Sequence, residues 1–586
     1  IMAKEKFYTS ERNVQIVLSL LKANGIRKII ASPGATNFTF VGSIQNDPFF
    51  EVYSAVDERS AAYMACGMAA ESGEAVALSC TGATASRNYY PGLTEAFYRK
   101  LPVLAITSHQ GTDRIGQLIP QNIDRRILPN DIARLSVELP IVKDCRDEDY
   151  VVMEANKAML ELRRNGGGPV HINLITTYSR DFSRKELPDV KVMRRFQAWD
   201  ELPAFPAGRI GIYVGSHTHF SEKQNRAIDR FCATYDAVVI CDHTSGYYGK
   251  YRLLPTLVQL QSDATSPFPP LDLMVHIGEM SAASFNGTIP VKEIWRVSED
   301  GELRNPFKKL TTVFQMSEEM FFLHYGKDGC NRHGLIDECR KLFGEIYAQI
   351  PELPFCNIWA AMQLSSRLPK GALFHMGVSN TRRCWNMFQL PEGVESACNV
   401  GCCGIDGCVS TLIGASLVNP DRLCYVVVGD LTFFYDLNSL GNHHIGKNLR
   451  VMLVNNGRGT EFRLGIHHCN DFGDSADKYM AAAGHFGNKS PLLVKHYAED
   501  LGFHYLSAAT KEEFMTALSN FTNPQLSDRS MILEIFTDSE DESEALYLMS
   551  HIQSDAKGMV SSKLKDAVRN VAGEKGINAI KKILKK

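Results

Sequence analysis

No apolar run in this 586-residue sequence approaches the ~18 residues that a membrane-spanning helix needs. The first residues, Ile1-Met2-Ala3-Lys4-Glu5-Lys6, carry no signal-peptide core, so the cytoplasm is the expected location. Neither sign of charge dominates: 63 Lys and Arg against 66 Asp and Glu leave a net charge of -3, with no global field to gather nucleic acid. Cysteine is plentiful, but the densest cluster, Cys398, Cys402, Cys403 and Cys408, contains no C-x-x-C pair. In a chain expected to keep its thiols reduced, these read as small buried apolar side chains rather than a zinc site. No glycine-rich G-x-G-x-x-G follows a predicted strand, which removes the main sign of an NAD- or FAD-linked enzyme. No short repeat or low-complexity segment precedes residue 538.

What the chain does have is alternation. Short β-branched apolar runs alternate with longer helical patterns, the signature of parallel sheets with crossover helices. Three blocks emerge. The first has buried strands predicted at Lys28–Ala31, Ala75–Ser79, Val103–Thr107 and Val170–Leu174. The second has them at Ile210–Val214, Val238–Cys241, Leu273–Ile277 and Glu293–Val297. The third has them at Ala372–Met376, Cys424–Val428, Val451–Val454 and Met531–Phe536. The expected fold class is α/β, three doubly wound parallel-sheet domains over 1–185, 186–350 and 351–545, followed by a basic tail over 546–586. From Lys557 to Lys586 the tail holds nine Lys and Arg against Asp566 and Glu574. Its apolar residues Leu564, Val568, Val571, Ile577, Ile580 and Leu584 fall near helical spacing. Packing on a neighbouring subunit, disorder, and weak contact with a membrane surface all stay open for it.

Two local patterns carry chemistry. Val428-Gly429-Asp430-Leu431-Thr432 and Leu453-Val454-Asn455-Asn456-Gly457 each close a predicted strand. In open α/β sheets, ligands sit at such carboxyl ends. Asp430 and Asn456 are hard oxygen donors of the kind Mg²⁺ takes, leaving the rest of its octahedron to phosphate and water. Thr432 sits at a helix start, beside backbone N–H groups suited to a phosphate. Taken alone, the Gly-Asp reads as a turn and a helix cap. Val56-Asp57-Glu58-Arg59-Ser60-Ala61-Ala62 closes another strand and opens a helix running to about Ala70, where acidic residues are favoured in any case.

The Gly-Asp paired with Asn-Asn 26 residues later resembles the diphosphate–Mg²⁺ motif of thiamine-diphosphate (ThDP) enzymes. The usual third glycine of that motif is Leu431 here, as in the menaquinone-pathway SEPHCHC synthase branch, whose Asp-x-Asn continuation also matches Asp436-Leu437-Asn438. Ala31-Ser32-Pro33-Gly34-Ala35-Thr36 resembles the family's first strand-to-turn segment, and Thr81-Gly82 through Asn88 and Pro91 its glycine-rich loop. Asn399-Val400-Gly401-Cys402-Cys403-Gly404-Ile405-Asp406-Gly407 is similar to a run in the synthase branch. The motifs cover roughly residues 10–180 and 355–540; the middle block matches only in rhythm.

The resemblance implies that Glu58 shares a proton with ring nitrogen N1′ of the cofactor's aminopyrimidine, so that the 4′-nitrogen can take the proton from C2. A buried carboxylate is expected for this, because desolvation raises its pKa. It further implies that Ile405 wedges between the two rings, that the Cys403 carbonyl accepts from the 4′-amino group, and that Pro33, Asn88, Ser379, Leu431 and Thr432 also contact the cofactor. Asp430, Asn456 and Arg458 are placed at the metal. His109 and Gln121 are candidate catalytic residues, and His467 and His468 lie where the family folds a lid.

The activity implied is ThDP- and Mg²⁺-dependent decarboxylation of a 2-oxo acid, with transfer of the acyl carbanion to a second carbonyl. A simple decarboxylase releasing an aldehyde, and an inactive ThDP-fold subunit, are the alternatives. Gly377-Val378-Ser379-Asn380-Thr381-Arg382-Arg383 resembles the synthase branch's carboxylate-binding run, which places Ser379 and Arg383 on substrate. Two departures set the chain apart. The branch's arginine after Asn399 is Val400, and its Thr-Ala-Asp-Arg-Pro is Thr107-Ser108-His109-Gln110-Gly111. Both remove cations. The 111–124 segment, with Gln121, looks more like acetolactate synthase. The middle block, which binds FAD in some relatives, shows no phosphate loop and is expected to be structural. A homo-oligomer with sites shared between chains is expected, and no nucleic-acid partner.

Overall fold

The structure, a computed structural model, describes residues 7–261, 267–280, 289–483, 487 and 489–553. The tail beyond 553 lies outside them, and with it the reading of residues 557–586. Contacts divide the chain into two compact units, 1–201 with 301–315, and 202–300 with 316–586.

The first sheet comprises β1 (Lys28–Ala31), β2 (Glu51–Ser54), β3 (Val76–Thr81), β4 (Val103–His109), β5 (Leu135–Leu139) and β6 (Val170–Ile175), in the order β2-β1-β3-β4-β6-β5. The second comprises β7 (Arg194–Gln197), β8 (Ile210–Val214), β9 (Val238–Ile240), β10 (Arg252–Leu253), β11 (Leu271–Ile277), β12 (Val291–Ser298) and β13 (Leu310–Gln315), in the order β10-β9-β8-β11-β12-β13-β7. The third comprises β14 (Leu373–Met376), β15 (Glu395–Cys398), β16 (Cys424–Gly429), β17 (Leu449–Asn455), β18 (His504–Ala508) and β19 (Met531–Phe536), in the order β15-β14-β16-β17-β19-β18. The described strand pairings within these sheets are parallel. Parallel neighbours need crossovers, and the intervening helices supply them. The three-sheet α/β architecture expected from the alternating pattern is the one observed.

The first and third sheets share one strand order. Counted within each sheet, both read 2-1-3-4-6-5. The order reverses between the first and third strands of each, and loops leaving the carboxyl ends of those two strands diverge to open a crevice. In the first sheet these loops begin at Ser32 and Gly82; in the third, at Gly377 and Asp430.

Helix Glu58–Ser72 follows β2, running two residues past the predicted end. Asp57 is its N-cap, accepting from Arg59 N at 3.1 Å and from Ser60 Oγ at 2.6 Å. Gly73 ends it in the left-handed conformation, φ 67°. Helix Tyr90–Tyr98 packs directly against it at Gly92, where a Cβ would lie 2.4 Å from that of Ala62. Only glycine permits that approach, and it fixes the helix that carries Glu58. Helix Ser539–Ser550 runs through position 546, beginning in the acidic stretch after β19. Among the described residues no helix is long and apolar enough to cross a membrane, and all fifteen cysteines are free.

Candidate cofactor and metal site

The register of the third sheet brings the strongest motif together. Gly429 of β16 pairs with Val454 of β17, and Met376 of β14 with Val427 of β16. Gly377, Asp430 and Asn456 therefore leave three adjacent strand ends at the switch point.

Asp430 is 3 % exposed and has no cationic side chain paired with it among the described residues. Burial pushes its pKa up to about 6, although the backbone N–H groups of Leu431 and Gly457, with those of Asn456 and Arg458, pull the other way. Leu431 N donates to Oδ1 at 2.8 Å and Gly457 N to Oδ2 at 2.6 Å. Beside it, the amide oxygen of Asn456 is buried and makes no hydrogen bond. A polar atom left so costs about 1–3 kcal/mol. A carboxylate that burial drives toward neutrality and an orphaned amide oxygen on adjoining strand ends fit a small divalent cation with oxygen preference. Among the described residues no group of three His, Cys, Asp or Glu side chains could hold a metal, so a site here rests on one carboxylate, one amide and main-chain oxygen. Asn455, the other half of the Asn-Asn pair, is framework: its Nδ2 donates to Glu534 at 2.7 Å, and Tyr505 holds the second Glu534 oxygen at 2.7 Å. The Arg458 side chain points elsewhere, to Asp477 at 2.9 Å, leaving only its main chain near Asp430.

Thr432 is buried in the first turn of helix Asp430–Tyr435, with Leu431 half-buried before it. At the far end of that helix, Asp436 is buried and accepts from Ser410 N at 2.6 Å and from its hydroxyl. This anchors the start of helix Cys408–Val418 and thereby the loop 399–407 that precedes it. Asn399 closes the loop, its Nδ2 reaching Gly407 O at 3.3 Å and Thr411 Oγ1 at 3.0 Å. Within it Cys403 is exposed at φ 51° and Ile405 half-buried. Val400, where a cation is missing, is buried.

Ser379 takes φ 58° and ψ -125°, a conformation that costs a non-glycine residue about 1–3 kcal/mol and marks sites where position matters. It launches helix Asn380–Trp385. Arg383 on that helix already holds a carboxylate: its two terminal nitrogens meet Glu461 at 2.6 and 3.1 Å. His467 caps a 3₁₀ turn by accepting from Cys469 N at 3.1 Å, while His468 is exposed.

In the first unit, Glu58 has no capping duty, since Asp57 performs it. Its carboxylate accepts from Asn88 Nδ2 at 3.4 Å. It is half-buried rather than buried, in a stretch where Val52, Tyr53, Val56, Tyr63 and Met64 are also exposed. Pro33 is exposed after β1. His109 is 4 % exposed; burial and then the neighbouring Arg125 push its pKa down to about 4, so it is neutral. Its Nδ1 accepts from Gly111 N at 3.3 Å. Gln121 is exposed at φ 66° in a loop that also shows Leu118 and Ile127 almost fully to solvent. Sequence reasoning missed Arg125, which is buried and donates to Thr107 and Asn173, both at 2.5 Å. It restores a cation beside the Thr107–Gly111 run. Nothing in the Arg125-Arg126 pair marks which one is buried.

In the middle block a cleft of about 910 Å³ opens at the carboxyl ends of β8 and β11. Glu279, Glu299, Asp300, Glu318 and Glu319 line it together with His217 and Arg296, and residues 396–401 of the third block close its other side.

Residues 12–127 match the family model "Thiamine pyrophosphate enzyme, N-terminal TPP binding domain". Over these residues the chain is similar to the thiamine-diphosphate enzymes. It is 29% identical over 569 residues to the 2-succinyl-5-enolpyruvyl-6-hydroxy-3-cyclohexene-1-carboxylate synthase of Bacteroides thetaiotaomicron, covering 92% of this chain and 98% of that one. The protein of that name from Phocaeicola vulgatus is 29% identical over 574 residues, with the same coverage. The one from Porphyromonas gingivalis is 26% identical over 570 residues, covering 90% and 95%. If Asp430 helps hold a metal that bridges to the cofactor diphosphate, removing its carboxylate should cost the protein its ThDP. Asp430→Ala is expected to leave gel filtration in Mg²⁺-containing buffer with little bound ThDP, where the wild type retains it; equal cofactor content would remove Asp430 from the site.

Proposed function

We propose that this enzyme uses ThDP and Mg²⁺ to decarboxylate a 2-oxo acid and to pass the resulting acyl carbanion to a second carbonyl compound. The observation that carries the reading is the pair at the ends of β16 and β17: a buried Asp430 and an Asn456 oxygen with no hydrogen bond. Asp430, Asn456 and the main-chain oxygen of Arg458 would hold the cation, and Thr432 with the adjoining N–H groups would receive the diphosphate. When bound, ThDP supplies the sink for the electrons released as CO₂ departs. When the cofactor is bound, Glu58 would offer its carboxyl proton to the pyrimidine, the Cys403 carbonyl would accept from its amino group, and the Ile405 side chain would pack against it. The synthase names of the relatives support ligation over release of an aldehyde. Glu58, Asp430 and Asn456 are all in place, which disfavours an inactive subunit.

Glu58→Gln is the test of chemistry. The amide cannot share the proton, so ThDP should still bind while CO₂ release falls by roughly 10²–10⁴-fold. Wild-type turnover in that variant would refute the assignment.

The same reading includes a homo-oligomer. Val52, Tyr53 and Val56 just before Glu58, and Tyr63 and Met64 further along its helix, are apolar and exposed, and a second copy packed on this part of the chain would complete the burial that a proton-sharing carboxylate needs. In a mixed dimer of Glu58→Gln and Asp430→Ala chains, one of the two sites then draws both intact residues. Co-expressed with different tags, the doubly tagged species should recover about half the wild-type activity per dimer. No recovery in a folded heterodimer, or a fully active monomer, would contradict the shared arrangement.

A further inference from the structure

Glu542 is buried near the start of helix Ser539–Ser550, at 1 % exposure, where several segments of the third block meet. Helix Asn357–Leu364 meets it end-on, Asn357 N donating to Oε1 at 2.8 Å. Thr537, the residue after β19, donates its hydroxyl to Oε1 at 3.1 Å. From helix Asn380–Trp385 the Asn380 side chain faces the carboxyl. The second oxygen, Oε2, is buried and completes no hydrogen bond among the described residues. Nor does a cation there balance the carboxyl. Of the titratable groups on the packed elements, Cys356 and Cys384 are buried thiols. Arg383 is taken by Glu461 at 2.6 Å, Arg382 turns to the Cys403 sulfur at 3.8 Å, and Arg463 meets Asp474 at 3.1 Å. Asp541 adds like charge from the same helix. Burial pushes the Glu542 pKa up to about 7, although Asn357, Thr537 and Asn380 pull the other way.

Helix Asn380–Trp385 starts from the strained Ser379, at the mouth of the crevice. Its far end is fixed by groups that do not titrate near neutrality. Trp385 Nε1 donates to Asn357 Oδ1 at 3.0 Å, and His243 Nε2 donates to the carbonyls of Trp385 and Phe388 at 3.1 and 2.9 Å. Burial and then Arg252 push the His243 pKa down to about 3, so it stays neutral. We propose that Glu542 is the positioning residue for the first turn of this helix: its neutral carboxyl locks Asn380, and with it Ser379, and its ionisation releases them. This rests on the reading of the crevice as a 2-oxo acid site. Protonated, Oε2 becomes a donor, and the Asn380 amide can accept from it. Ionised, the carboxylate is a buried charge without a cation, and the first turn must open for water to reach it. The hold is therefore complete below the ordinary carboxyl range and is lost as the pH rises through about 7.

The test is hydrogen exchange over residues 378–388, read by mass spectrometry on the full chain with Mg²⁺ and ThDP. It compares the wild type with Glu542→Gln, which keeps a neutral side chain at every pH. Comparing the two proteins at one pH cancels the intrinsic chemistry of exchange. At about pH 6 they should exchange alike; at about pH 8.5 the wild type should exchange at least about fivefold faster. KM should follow, for whichever of pyruvate, 2-oxobutanoate and 2-oxoglutarate is turned over best. Over the same range it should rise at least about threefold more in the wild type than in the variant. Thr537→Val removes a donor to the ionised form, so it should move the midpoint of the exchange change up by about 0.5–1 pH unit. That variant carries the test if Glu542→Gln does not fold. Equal exchange of wild type and Glu542→Gln at both pH values, or a Thr537→Val midpoint that stays or falls, would overturn the proposal. An exchange difference with no difference in KM would overturn the positioning role. If the exchange difference appears and no 2-oxo acid releases CO₂, the lock stands and the decarboxylase reading falls.

Discussion

The arrangement of the third sheet turns on one unfavourable burial. Asp430 is taken almost wholly out of water with no cationic side chain paired with it among the described residues, and the Asn456 oxygen beside it accepts no hydrogen bond from them. Hydrogen bonds from backbone N–H groups offset part of the desolvation, but the carboxyl pKa still rises to about 6. A fold keeps such a pair because something else completes it. Once a divalent cation is admitted, the neighbouring features acquire a purpose: Asp436 pins the loop 399–407, Asn399 closes it, and Ser379 accepts a strained backbone to start the next helix.

Topology explains why these residues meet. Both the first and the third sheets run 2-1-3-4-6-5, so each has its reversal between its first and third strands. The motifs quoted from the sequence all fall in loops at the carboxyl ends of the first four strands of these two sheets. Pro33 follows β1, Glu58 follows β2 and Asn88 follows β3. Ser379 follows β14, Cys403 and Ile405 follow β15, Asp430 follows β16 and Asn456 follows β17. The middle sheet contributes none of them.

Legibility followed burial. The interior strands β1, β3, β4, β6, β8, β11, β14, β16, β17 and β19 are predominantly apolar and almost wholly buried, and were readable to within a few residues. The edges were not. β2 is exposed along its whole length, β15 is half-buried throughout, and β7, β10 and β18 are short or mixed, so none presents a run to recognise. Interior β13, whose Leu310-Thr-Thr-Val-Phe-Gln315 breaks its apolar run with two threonines, was missed as well. In the site, residues defined by spacing along the chain, such as Asp430 and Asn456, were legible. Relations between distant side chains were not: the capture of Arg383 by Glu461, 78 positions away, the burial of Arg125 against Asn173, and the openness around Glu58. No local pattern encodes a partner that arrives from another segment.

The central claim is that Asp430 and Asn456 form the cation half of a ThDP site. Titrating ThDP into the wild-type protein by calorimetry, once with Mg²⁺ and once with the divalent cations chelated, tests it most directly. Saturable binding with Mg²⁺ that weakens by at least about 100-fold on chelation, and returns when Mg²⁺ is restored, is the result predicted. Binding of equal strength with and without the cation, or no ThDP binding at all, would contradict it.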